Sequence, residues 1–473
     1  MTSLDSLLRR AAGERAALVD ADGTTTFAAL TAASDDLADR LRALGVGAGQ
    51  VVAFQLPTGR PHVTLLRACW RIGAVAAPLH PAATEAEVAA LVARLRPAAH
   101  VLGPDAADRL AAGTLDAAPT DPPRTVDPAL AVVLATSGST GTPKLVAHTH
   151  DVLVHKATQM PRVHGLSPND VVLMPAPMAH MSGLLNGVLV PGAAQMACVP
   201  MARWRPDEAL AAIERHGVTF MVGPPTFFVG LMDDPGFRPE RVATLRLISS
   251  GGADVTPAFV ERAADRLGAV VKRTYGSTEA PTIATTTPDD PPEVRATCDG
   301  RPLAGVELRL VDPATGTDIG GDGPGELCVR GPELFAGYLR DDGSIDPGRD
   351  ADGWFRTGDV ATLDAGGWLT ITGRVHDVII RGGENIAAAE VEQVLEAHPA
   401  VRQAAVVGRP DDRLGEVVVA VVVVDPGAGF DLEACRSWFA AQGVARFKAP
   451  EVIEVVDTLP VLASGKVDKA ALR

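Results

Sequence analysis

Five times along this 473-residue chain an apolar run ends in a turn rich in glycine, proline or small hydroxyl residues. ALAVVLA (129–135) meets TSGSTGTPK (136–144), VVLM (171–174) meets PAPMAHMSG (175–183), and VTFMV (218–222) meets GPPT (223–226). LRLISS (245–250) meets GGA (251–253), and AVVK (269–272) leads through one arginine to TYGSTEA (274–280). Short apolar runs bounded by such turns read as buried strands. Earlier in the chain Val51–Leu56, Ala74–Leu79 and His100–Leu102 read the same way. Helical spacing over Phe27–Leu44, and a capping box at Thr84 and Glu87, place helices between them. Strands alternating with helices predict parallel pairing in a layered α/β fold. In open sheets of this kind ligands collect beyond the carboxyl ends of the strands, so the five turns are candidate walls of one cleft.

The length predicts two or more domains. From about Gly300 the texture changes to VELRLVD, GELCVRG and WLTITG, a small antiparallel sheet or barrel. After Gly373 a last piece has its own alternation: VII and a GGEN turn, a helix over Ala387–His398, strands at Ala404–Val407 and Val417–Val424, a helix near Leu432–Gln442, and Val452–Val456. That content suits a small α+β domain.

Acidic residues outnumber basic ones 58 to 43, which argues against nucleic acid or an anionic membrane as a general partner. The five cysteines are scattered with no Cys-x-x-Cys pair, so neither a zinc site nor a disulfide framework is indicated. No apolar run is long enough to span a bilayer, and the acidic start is unlike a signal peptide, so a reducing cytoplasm is the expected location. Only six lysines occur, and two of them, Lys144 and Lys466, lie in glycine-rich turns.

In TSGSTGTPK, glycines let backbone N–H groups approach an anion, hydroxyls add donors and Lys144 adds a charge. Pro143 before the lysine and Leu145 after it exclude the common phosphate-loop pattern, and the stretch alone equally fits a flexible polar turn. In TYGSTEA, Tyr275 could stack on a flat base, Thr278 could bond a phosphate oxygen, and Glu279 could hold Mg²⁺; a polar turn is the alternative. In DGWFRTGD, Asp359 fits a ribose diol or an ordinary turn. His180 lies in a segment punctuated by proline and glycine, where a structural role competes with a catalytic one.

Taken in order, TSGSTGTPK, TYGSTE, WFRTGD, GRVHDVIIRGGENI and LPVLASGK resemble five signatures of the adenylate-forming (AMP-binding) enzyme superfamily. RGGENIAAAEVE, HPAV and FKAPE are most similar to its acyl-CoA synthetase branch, and the resemblance covers nearly the whole chain. It implies a large N-terminal domain, 1–373, of layered α/β subdomains with a β-barrel-like subdomain, hinged at 374–377 to a mobile C-terminal domain, 378–473. It implies that Thr136, Ser137, Gly138, Ser139, Thr140, Gly141 and Lys144 hold the ATP phosphates. Gly251, Gly252, Ala253, Tyr275 and Gly276 would surround adenine, Thr278 would bond the α-phosphate and Glu279 the Mg²⁺. Asp359 and Arg374 would hold the ribose, and Lys466 would bridge the substrate carboxylate and the α-phosphate. Gly382 and Gly383 would line the CoA tunnel, and His376 stands at the hinge, where the family usually has aspartate or lysine. His180, Met181, Gly183, Gly223, Thr226, Gly251 and Gly276 would form the acyl pocket, small and apolar enough for a medium aliphatic, alicyclic or simple aromatic acid.

The activity implied is ATP-dependent ligation of a carboxylic acid to CoA through an acyl-adenylate, releasing AMP and pyrophosphate. Transfer to a carrier-protein thiol or an amine is the alternative within the same chemistry. A non-catalytic nucleotide sensor is the rival outside it, and the matching lysine and glutamate speak against that. The expected partners are small molecules, with an acyl-carrier protein as a further acceptor and a monomer or homodimer as the working form.

Overall fold

A computed structural model of the chain describes residues 3–473 apart from 11–12, 21–22, 118–121, 137–142, 254, 322, 376–377, 382–383, 412, 426 and 463–466. Two large sheets dominate. In the first, Val270–Tyr275, Leu247–Gly251, Phe220–Gly223, Val171–Met174 and Ala197–Pro200 lie side by side in parallel. Val270–Tyr275, Leu247–Gly251, Phe220–Gly223 and Val171–Met174 each run into a turn rich in Gly, Pro or hydroxyl residues. Four of the five turns of the strand–turn pattern therefore line one edge of this sheet, while the fifth, after Thr136, belongs to the second sheet.

The second sheet is parallel through Leu130–Thr136, Val75–Pro78, Val51–Phe54 and Ala99–Val101. It differs from a simple α/β alternation at one important place. Leu130–Thr136 does not run into a helix; it turns back on Lys144–Thr149 in an antiparallel hairpin with Thr136 opposite Lys144. The KLVAHT run that forms the return strand alternates only weakly and was not legible as a strand beside the Gly/Ser/Thr stretch. Gly337–Leu339 adds to the hairpin's outer edge, with Tyr338 opposite Val146.

The expected helices are present. Phe27–Ala43 is capped by Thr26, and Glu85–Leu95 opens on the Thr84/Glu87 capping box. Helix Phe27–Ala43 packs Leu30, Leu37 and Leu41 into a core continuous with Phe54, Leu66 and Trp70. The region after Gly300 forms a four-stranded antiparallel sheet in the order Glu307–Val311, Gly325–Arg330, Phe355–Leu363, Leu369–Arg374, and no barrel closure occurs among the described residues.

That small sheet is fastened to the first large sheet by a buried ion pair. Arg273, in Val270–Tyr275, meets Asp299 through Nε at 3.0 Å and Nη2 at 2.9 Å, and Asp299 Oδ2 also accepts the Ile371 N–H at 2.8 Å. Both charges are almost wholly buried, where removing one partner strands the other. The pair fixes the strand that ends in Arg374.

Beyond residue 377 the chain builds a separate five-stranded sheet around Gly415–Val424 and Val401–Asp411, with helices Ala388–Glu396 and Leu432–Ala441. Its core, which includes Leu395, Val406, Val422 and Phe439, is its own. It touches the large part where Thr256 Oγ1 donates to Glu396 Oε2 at 2.8 Å and where Arg402 pairs with Asp233.

Candidate active site

The sequence candidates separate into two clusters at the strand ends. The first joins two motifs 84 residues apart: the Tyr275 hydroxyl donates to Asp359 Oδ2 at 2.6 Å. Arg374 Nε donates to Asp359 Oδ1 at 3.0 Å, and the two residues face each other across the antiparallel pair of strands. The Asp359 N–H donates to Thr357 Oγ1 at 3.1 Å, and that hydroxyl donates in turn to the Leu327 carbonyl at 2.9 Å. Burial and the neighbouring Asp359 carboxylate push the Tyr275 phenol well above its ordinary range, so it stays a protonated donor. An aromatic ring, a carboxylate acceptor and an exposed guanidinium side by side suit a nucleoside: a flat base and a diol.

The second cluster lies at the hairpin. Glu279 Oε1 accepts the Tyr338 hydroxyl at 3.0 Å, and the Lys144 ammonium lies 4.9 Å from the centre of the Tyr338 ring. The Glu279 carboxylate takes no other hydrogen bond among the described residues, so it retains oxygen lone pairs for a cation. Mg²⁺ binds proteins through one or two carboxylates plus phosphate oxygens, so this donor set fits it. The loop carrying Thr278 and Glu279 is held from behind: the His148 Nε2–H donates to the Thr278 carbonyl at 2.8 Å, and the Phe335 N–H to the Glu279 carbonyl at 2.8 Å. Complete burial lowers the His148 pKa to about 4, which keeps it neutral with its proton on Nε2.

Thr136 ends its strand and Lys144 starts the next, so the two are fixed in register, but Ser137, Gly138, Ser139, Thr140 and Gly141 lie outside the described residues. So do His376, Gly382, Gly383 and Lys466. Gly251 ends the Leu247–Gly251 strand, Gly252 and Ala253 follow it, and Gly252 has φ +77°, a value that glycine tolerates best. A Cβ on Gly251 would lie 2.1 Å from the Thr274 carbonyl oxygen, and one on Gly276 2.3 Å from the Thr282 nitrogen. Both glycines therefore serve close backbone approach.

His180 precedes the helix Met181–Leu184, half-buried, with its ring 5.2 Å from that of His80. His80 Nδ1 accepts the Ala82 N–H at 3.1 Å, which puts its proton on Nε2, and burial lowers its pKa. Met181 is buried, while Gly183 is packed on the Pro177 carbonyl, 2.1 Å from where its Cβ would be. Gly223 is covered by the ring of Phe227, which stacks on Trp204 with centroids 4.6 Å apart; Thr226 is its neighbour at the start of helix Pro225–Asp233.

Three residues here lie outside the motifs, Tyr338, His148 and His80, and Thr357 lies within WFRTGD but drew no role from it. For one of them a signal existed. The chain has two tyrosines, Tyr275 and Tyr338, and each touches a site carboxylate.

The AMP-binding enzyme family matches residues 8–339, and the AMP-binding enzyme C-terminal domain matches residues 390–466. The chain belongs to the AMP-binding, adenylate-forming enzyme family. It is 34% identical over 501 residues to the medium-chain fatty-acid–CoA ligase of Escherichia coli, covering 98% of this chain and 88% of that one. It is also 34% identical over 507 residues to a salicylyl-CoA synthase / salicylate adenylyltransferase of a Streptomyces species, covering 98% and 91%. Among solved structures, ATP-bound MatB from Rhodopseudomonas palustris superimposes with a TM-score of 0.87 at 29% identity, over 100% of this chain and 98% of that one. The amide bond synthetase McbA from Marinactinospora thermotolerans superimposes with a TM-score of 0.86 at 32% identity, over 99% and 98%.

Proposed function

We propose that this protein is an ATP-dependent carboxylic acid–CoA ligase that forms an acyl-adenylate, then a thioester, with release of pyrophosphate and AMP. The observation that carries this is that the short stretch 275–279 joins the two clusters: Tyr275 meets Asp359, which pairs with Arg374, at one end, and Glu279 meets Tyr338, whose ring lies against Lys144, at the other. One end has the groups for a nucleoside, the other those for a metal-bound polyphosphate.

In this reading Mg²⁺ on Glu279, when bound, offsets charge on the phosphates as the acid approaches. Thr278, held through its carbonyl by His148, presents its hydroxyl to the α-phosphate. Thr136 and Lys144 stand opposite each other where the hairpin strands end and begin, and the glycine and hydroxyl residues between them in sequence supply the donor types that departing pyrophosphate needs. Lys466 supplies the cation that brings two anions together. The domains meet at a hinge, 374–377, and the smaller one, 378–473, turns to exchange Lys466 for the Gly382–Gly383 loop that admits CoA. His180, Met181, Gly183, Gly223, Thr226, Gly251 and Gly276 bound the acyl pocket in this reading, with the Phe227–Trp204 stack behind Gly223. The buried, unpaired cysteines fit a cytoplasmic enzyme.

The decisive test is AMP release from about thirty carboxylic acids, with and without CoA, alongside ATP–pyrophosphate exchange. Acid-dependent exchange with CoA-accelerated AMP release is the expected result. Exchange that ignores CoA but responds to a phosphopantetheinylated carrier, or to an amine, would move the second step to that acceptor. Relatives point both ways: one, from Mycobacterium tuberculosis, is a salicyl-AMP ligase / salicyl-S-ArCP synthetase. No exchange with any acid would sink the enzyme assignment.

A further inference from the structure

A buried lysine sits directly behind the loop that carries Thr278 and Glu279. Lys156, on the helix His150–His164, is 0% exposed. Its ammonium donates to the Thr282 carbonyl at 2.8 Å and to Gln159 Oε1 at 3.1 Å. The charge that answers it is Glu333, also 0% exposed, with neither carboxylate oxygen hydrogen-bonded among the described residues. Burial pulls the Lys156 pKa to about 8 and raises that of Glu333, and each group opposes the shift of the other. Gly331 makes room for this carboxylate: a Cβ there would lie 2.8 Å from Glu333 Oε2. Two buried charges with so few partners are costly to keep in a core, and a hydrophobic pair would pack there more cheaply.

What Lys156 holds is itself strained. Thr282 has φ +52°, the left-handed region that a β-branched residue rarely enters. Its nitrogen lies against Gly276, and the following Ile283 N–H donates to the Tyr275 carbonyl at 2.8 Å. Thr282 thus closes the loop 276–282 onto its own beginning. His148 and Phe335 hold the middle of that loop, and Lys156 holds its left-handed corner.

We propose that Lys156 is a positioning residue for nucleotide activation: by pinning the Thr282 carbonyl it keeps the 276–282 loop closed and so aims Thr278 and Glu279 at the α-phosphate and its magnesium. This rests on reading the cleft as a MgATP site. Lys156 itself touches neither ligand.

Calorimetric titration of the full chain with MgATP, without acid or CoA, tests the role by binding alone. Lys156→Met is expected to weaken MgATP binding at least tenfold. Adding Thr282→Gly, which removes the penalty of the left-handed corner, is expected to restore binding to within threefold of wild type. A purely structural lysine would lower Tm and leave the Kd within twofold, and that result in a folded Lys156→Met overturns the inference, as does failure of Thr282→Gly to rescue. Should Lys156→Met not fold, Glu333→Gln carries the same measurement: at least threefold weaker binding supports the role, and a Kd within twofold of wild type overturns it. Wild-type protein that binds no MgATP would instead overturn the site assignment, and this inference with it.

Discussion

Tyr338 holds Glu279: its hydroxyl donates to the carboxylate at 3.0 Å, while its ring lies under the Lys144 ammonium at 4.9 Å. One side chain therefore orients both the proposed magnesium ligand and the lysine at the end of the hydroxyl-rich loop. Partners that orient a metal ligand commonly account for 10- to 100-fold in metal affinity. Tyr338→Phe keeps the ring beneath Lys144 and removes only the hydroxyl. The half-saturating Mg²⁺ concentration in ATP–pyrophosphate exchange is expected to rise by about tenfold. A lower requirement for Mg²⁺ would mean that Tyr338 competes with the metal for Glu279.

Asp359 accepts from both Tyr275 and Arg374, so it organises the cluster proposed to hold the nucleoside. Hydrogen bonds to charged groups contribute roughly 1.5–3 kcal/mol, which corresponds to about 10- to 100-fold in affinity. Asp359→Asn is expected to raise KM for ATP by that factor and to leave KM for the acid within about threefold. Equal changes in both would place Asp359 outside the ribose contact.

Lys466 is proposed to act in the first half-reaction alone. Lys466→Ala is expected to slow acid-dependent pyrophosphate exchange by roughly 10²–10³-fold, the scale of losing one preorganised donor. Thioester formation from supplied acyl-adenylate and CoA should stay near the wild-type rate. Parallel losses in the two half-reactions would contradict the division of labour between Lys466 and the Gly382–Gly383 loop.

His62 and His148 are wholly buried, and burial lowers both from 6.5 to about 4. In the unfolded chain each takes up a proton as pH falls through 6.5, while in the fold each stays neutral down to about 4. The unfolded state therefore binds more protons in that window, and stability falls as pH drops through it. The loss per histidine approaches about 1.4 kcal/mol for each pH unit. Above pH 6.5 both states are neutral at these positions, and the contribution is constant. His148→Gln retains an N–H donor for the Thr278 carbonyl without a titrating ring. Urea unfolding between pH 5 and 7 is expected to show a shallower acid limb for that variant, and an unchanged slope would refute the assignment.

Much of the fold could be read from short-range pattern. Thr84 and Glu87 form their capping box, Val171–Met174 is a strand with the bounds the apolar run suggests, and the long run Val417–Val424 lies within the strand Gly415–Val424. These elements are written in local chemistry: a cap needs two residues three apart, and a buried strand needs a run of apolar side chains. The hydroxyl-rich stretch 136–144 was legible as chemistry suited to an anion, but its setting was not. Whether Leu130–Thr136 leads into a helix or a return strand depends on Gly337–Leu339, which arrives about two hundred residues later to pair with that return strand.

From the string alone came the alternation of strands and turns, the order of five motifs, and the residue types able to meet a base, a diol, a phosphate and a cation. Tertiary structure alone decided which groups touch: Tyr275 with Asp359, Glu279 with Tyr338, and Lys156 with the Thr282 carbonyl. The physical reason is range. Backbone preference acts over a few neighbours, whereas a hydrogen bond between residues 59 or 126 positions apart exists only after separate elements have packed and brought donor to acceptor.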